Sequence, residues 1–112
     1  MKNLEEQAFE IWDEVCQSIT AVLQECKLYG LANILTLPDP SLESRLKALK
    51  DLERICTAII DGLPDGSYSA IRLMLNAKQK IIFLEILLTS AQREDENSFQ
   101  DALWHLEKQS SH

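Results

Sequence analysis

With 112 residues, 46% of them apolar and 26% charged, the chain is long enough to bury one core without disulfides or metal, and its composition lies outside the disordered class. Its 18 Asp and Glu against 11 Lys and Arg leave a formal charge of -7, which repels a phosphate backbone; the densest basic cluster, Arg45, Lys47, Lys50 and Arg54, is interleaved with Glu43, Asp51 and Glu53, so nucleic acid is disfavoured as a partner. The opening "MKNLEEQAFEIW" carries acids where a secretion signal needs a basic stretch, and no apolar run approaches the roughly 18 residues that span a bilayer, so a cytoplasmic chain without membrane association is expected.

The three Gly and three Pro all fall in or beside "YGLANILTLPDP" and "DGLPDGS", which punctuates the remainder into long helices. The first helix is expected over about 4–29, capped by Asn3 with Glu6 completing a capping box, and ended by Gly30 as the left-handed residue. At 100° per residue, Leu4, Ala8, Ile11, Trp12, Val15, Ile19, Val22, Leu23, Cys26 and Tyr29 share one side, while Glu6, Glu10, Asp13, Glu14, Gln17 and Gln24 take the other. The connector "LANILTLPDP" is too apolar to stand in water, so Leu31, Ile34, Leu35 and Leu37 are expected to cover an end of the bundle. Asp39 and Pro40 read as the N-cap and first residue of a second helix, about 40–61, burying Leu42, Leu46, Leu49, Leu52, Cys56, Ile59 and Ile60. A third helix follows over about 67–93. Beyond "REDEN", which holds neither Gly nor Pro and leaves open whether the third helix runs on, Ser98 or Asn97 would cap a short fourth helix over about 98–108.

The fold class is therefore all-α: a single domain, residues 1–112, built as an antiparallel bundle of three long helices and one short one. The odd number of cysteines, Cys16, Cys26 and Cys56, reads as free thiols; only if the first two helices formed an antiparallel hairpin would Cys16 and Cys56 reach similar heights.

The third helix carries the densest apolar stretch, "IIFLEILL", interrupted by Glu85. On a helical wheel it has two apolar faces. Ala70, Leu73, Met74, Ala77, Ile81, Leu84, Leu88 and Ala91 line one, and Tyr68, Ile71, Leu75, Ile82 and Ile86 line another about 120° away, with Lys78, Glu85, Thr89 and Gln92 between. A carboxylate between two apolar faces needs a partner, and a structural ion pair of Glu85 with Arg45 or Lys78 is expected. The fourth helix is too short to cover the second face. With Phe83, Leu87 and Trp104 projecting outside the apolar stripes, the expected partner-binding surface is Ile82, Phe83, Ile86, Leu87 and Trp104.

No nucleotide-binding glycine loop, nucleophile elbow or zinc-binding HExxH is present. The two histidines, His105 and His112, lack the ligands of a metal site, so neither metal nor cofactor is expected. All-α nucleotide pyrophosphohydrolases hold magnesium with EExxE and ExxD patterns on different helices; here Glu5, Glu6 and Glu10 are spaced differently and share their helix with Asp13. The expected function is thus non-enzymatic: a protein-binding module such as a regulator, adaptor, chaperone-like protein or inhibitor, whose partner is another protein or a second copy in a homodimer. An acidic mimic of nucleic acid, and behind it a carboxylate and magnesium nucleotide hydrolase, are the alternative readings.

Overall fold

In the computed structural model, which describes residues 3–110 apart from the side chains of 109 and 110, four helices run in the order α1 (Leu4–Glu25), α2 (Leu42–Gly62), α3 (Tyr68–Gln92) and α4 (Glu96–Ser110). A 3₁₀ turn, Leu31–Leu35, interrupts the connection between α1 and α2. The chain is an all-α bundle, and the described residues contain no strand.

Local sequence explains where α1, α2 and α4 begin, whereas Ser67 precedes α3 without a side-chain cap. Asn3 accepts the Glu6 N–H at 2.8 Å and so satisfies an otherwise orphaned donor of the first turn. At α2 the cap is Ser41 rather than Asp39: its Oγ accepts the Ser44 N–H at 3.2 Å. Asp39 instead accepts from the Ser41 N–H and from both the Ser41 and Ser44 hydroxyls, an Asx turn that feeds the chain into the cap and delays the helix by two residues relative to the expectation. Asp95 starts α4, accepting from the Ser98 N–H at 3.2 Å and the Ser98 hydroxyl at 2.8 Å, so Ser98 serves the cap as donor.

α2 ends at Gly62, just before Pro64, but α1 and α3 end differently. After α1, Lys27 takes φ 62°, its N–H reaches the Gln24 carbonyl, and the Leu28 N–H reaches the Leu23 carbonyl. After α3, Glu94 takes φ 57° with bonds from Glu94 to Ala91 and from Asp95 to Ser90. Both are Schellman endings with a charged residue where glycine is usual. Gly30, expected to stop α1, has an ordinary right-handed φ of -75°. Gly66, at φ 91° in the α2 to α3 turn, does occupy a conformation that only glycine adopts freely.

The helices do not form a closed ring. α3 packs against each of the other three, α4 also touches α1, and α2 stays clear of α4. The residues of α3 that meet α2 and those that meet α4 lie on opposite sides of its wheel, so α2, α3 and α4 form a layer with α1 across one face. The extents of 48 × 29 × 19 Å correspond to a body three helices wide and two thick, at about 10 Å between packed axes. Between the layers lie Ile19 and Leu23 of α1, Leu49, Leu52 and Cys56 of α2, Met74, Ile81, Leu84 and Leu88 of α3, and Phe99 of α4, all fully buried.

The connector sets the direction of α1. It runs back along the helix, placing Ala32, Leu35 and Thr36 beside Trp12, Cys16 and Thr20, rather than covering the end of the bundle. As a result α1 and α2 are parallel: Arg45, near the start of α2, lies over Phe9 and Trp12, while Cys26 and Leu28 stand beside Ile59 and Leu63. The three thiols are free, and Cys56 faces the Cys26 end of α1, not Cys16.

Candidate functional site

The α2, α3 and α4 layer has α1 on one face, and none of the described helices lies on the other. On that open face α3 presents Tyr68, Leu75 and Ile86, which are 79%, 46% and 40% exposed, with half-buried Ile82 between them. These residues recur one or two turns apart on a single side of the helix, so they form a stripe rather than scattered exposures. The stripe contains two of the five residues singled out from sequence, Ile82 and Ile86.

The other three separate. Leu87 is fully buried between α3 and α4 and belongs to the core, a correction to its assignment as an interface residue. The reason is the position of α4: it lies antiparallel to α3 against the side that carries Phe83 and Leu87, so that side becomes interior. Phe83 is half-buried, its ring stacked on His105 with centroids 4.4 Å apart and planes 14° apart. Trp104 is 53% exposed, meets the His105 ring edge-on at 4.9 Å and carries the Lys108 ammonium 4.7 Å above its own ring. His105 also lies 3.9 Å from the Asp101 carboxylate. It is therefore a spacer between two aromatic rings, more enclosed than a surface residue; His112 lies outside the described residues.

Beside the stripe, α2 and α3 enclose a groove of about 680 Å³ lined by Leu46, Lys47, Lys50, Glu53, Arg54 and Glu85, among others. Here the expected ion pair is overturned. Arg45 is committed to α1: its guanidinium lies 4.1 Å from the Phe9 ring centroid and 4.9 Å from that of Trp12, and its Nε donates to the Pro40 carbonyl at 2.8 Å. No ion pair joins Lys78 to Glu85 among the described residues; Lys78 instead lies near Cys56.

The neighbour of Glu85 is a second carboxyl, Glu53. Glu85 Oε1 is buried without a hydrogen-bond partner. Burial, the adjacent Glu53 charge and a hydrogen bond shared with the Glu53 carboxyl push the Glu85 carboxyl up to about 7 from its ordinary 4.5, while Lys50 pulls weakly the other way. Glu85 and Glu53 thus meet where α2 packs on α3, and the charge of Glu53 adds to burial in disfavouring ionisation of Glu85. The residues of this pair come from the inner edge of α2 and the polar seam of α3. A helical wheel of α2 places Glu53 next to Leu46 and Leu49, a signal that could have identified it.

The outward acids Glu6, Glu10, Asp13 and Glu14 of α1 are exposed and do not converge on a pocket. Among the described residues, no three His, Cys, Asp or Glu side chains gather as a metal site requires, and no helix is long and apolar enough to cross a membrane. Comparison with known proteins finds no matching family model, curated protein or solved structure.

Proposed function

We propose that this chain is a non-enzymatic protein-interaction module whose docking surface is the open face of α3. The observation that carries this reading is the stripe Tyr68, Leu75, Ile82 and Ile86 on the one side of α3 that no other helix covers, although α3 is the helix every other packs against. Large apolar side chains grouped in this way on one helix are the usual mark of an interface, whereas single exposed apolar residues are not. A regulator or adaptor has this form: a rigid bundle that holds one helix face outward.

A photo-crosslinking amino acid at Leu75 or Ile86, compared with one at Gln17 on the outward side of α1, tests the assignment in the native host. Discrete adducts are expected from the two α3 positions and none from Gln17. Equal labelling from all three positions, or none from Leu75 and Ile86, would refute it.

A further inference from the structure

Resting on the reading of the open α3 face as a docking surface, we infer that its occupant is a second copy of this chain, paired antiparallel about a two-fold axis that passes between Lys78 and Gln79. The charge of the chain is segregated in a way that permits this. α1 holds six acids and no base, nearly the whole of the net -7. α2 holds four of each, α3 three bases and one acid, and α4 three acids and one base, so the layer they form is neutral. Two copies that meet through this layer bring neutral surfaces together. Their α1 helices stay about 30 Å apart, at about 10 Å per packed layer, well beyond the screening length of about 8 Å at physiological salt. Pairing through α1 would instead set its acids face to face.

The stripe is also self-complementary. A copy turned about that axis sets Leu75 opposite Ile82 of the second copy, Ile71 opposite Ile86 and Tyr68 opposite Thr89, and each contact occurs twice. On the open side only Lys78, beside the axis, then lies level with its own counterpart, whereas a parallel copy would set Arg72, Lys78 and Arg93 each against itself. The area fits as well. The accessible surface of 6983 Å² exceeds the roughly 6,300 Å² of a typical folded monomer of 12.8 kDa. That surplus of about 700 Å² approaches the roughly 800 Å² that each partner gives up in a stable complex, and a layer 48 Å long and 29 Å wide can supply it. In the dimer the second copy does for the open side of the layer what α1 does for the other, and two-fold closure stops assembly at two chains.

The test uses the full chain. Light scattering at about 100 µM protein should give the mass of two chains, falling toward that of one on dilution. Leu75→Glu should raise the dissociation constant at least about tenfold, because symmetry places the change in the interface twice, and Ile82→Lys should do the same. Mixing these two variants should restore the dimer. The antiparallel register sets the introduced acid opposite the introduced base in one half of the interface and leaves Leu75 opposite Ile82 in the other. Circular dichroism verifies that each variant is folded. A photo-crosslinking amino acid at Leu75 of the purified, otherwise unchanged chain should give adducts that map beside Ile82 of a second copy, and decides the matter alone where a variant unfolds.

A dimer indifferent to Leu75→Glu, a mixture of variants that stays monomeric, or adducts that map outside α3 would overturn the two-fold pairing. So would a parent chain that remains monomeric at this concentration. In that case, capture of other proteins in the native host from Leu75 and Ile86 but not from Gln17 would leave the docking face intact and overturn this inference alone, whereas absence of such capture would remove the docking face as well.

Discussion

Glu85→Gln is expected to stabilise the protein at alkaline pH and to leave it almost unchanged in acid. In the unfolded chain Glu85 ionises near its ordinary 4.5, and in the folded chain near 7, raised by burial and by Glu53. Between these values the folded state holds a proton that the unfolded state has lost. Stability therefore falls as pH rises from about 4.5 to about 7, and above 7 the full cost of ionising the buried carboxyl persists. At 1.36 kcal/mol per pKa unit the upper bound is about 3 kcal/mol. Because the carboxyl reaches water through the open groove, screening reduces this to about 1–2 kcal/mol, or a rise of roughly 4–8 °C in the melting midpoint at pH 8. Urea unfolding followed by circular dichroism, from pH 4.5 to 8 at constant ionic strength, reads the difference between parent and variant at each pH. Glu53→Gln should flatten the same pH dependence, and the double variant should gain less than the two single gains combined, since either change alone removes the repulsion. A difference between parent and Glu85→Gln that does not grow with pH, or a variant less stable than the parent at pH 8, would refute the account of Glu85 as a carboxyl raised by burial and by Glu53.

Two further outcomes follow from contacts elsewhere in the bundle. Arg45→Lys keeps the charge but loses the planar group lying over Phe9 and Trp12 and its bond to the Pro40 carbonyl, and should cost about 1–2 kcal/mol in urea unfolding, together with a change in tryptophan emission; an unchanged unfolding midpoint would argue against the stack. Cys16, whose thiol burial and Asp13 push up to about 12 with Arg45 opposing, should react with iodoacetamide at pH 8 far more slowly than a free cysteine, because so little of it is thiolate, and labelling at the free rate would contradict its placement.

Much of the fold is legible in the residues themselves. One-faced periodicity identifies α1 and α2, Asn3 marks the start of α1, and Gly66 marks the turn before α3. The two faces of α3 are also visible, because Tyr68, Leu75, Ile82 and Ile86 share one side of any helical wheel. What escapes is information held between elements. Leu87 looks like a candidate for solvent until α4 is laid against it, and the partner of Glu85 depends on which helix claims Arg45. That in turn depends on the direction of α1, set by a connector that doubles back along α1 instead of turning at its end. The break between α3 and α4 is hidden for a more local reason: its left-handed residue is Glu94, so the glycine that normally announces such an ending is missing.

Lys27 and Glu94 are also openings for engineering. Each holds a side-chain-bearing residue in a left-handed conformation that favours glycine by about 1 kcal/mol, offset in part by the greater freedom glycine gives the unfolded chain. Both lie outside the core and away from the stripe on α3. Lys27→Gly and Glu94→Gly could thus harden the scaffold for structural or binding work without altering the surface under test, and the small rise each brings in the melting midpoint would show how much stability the two turns forgo.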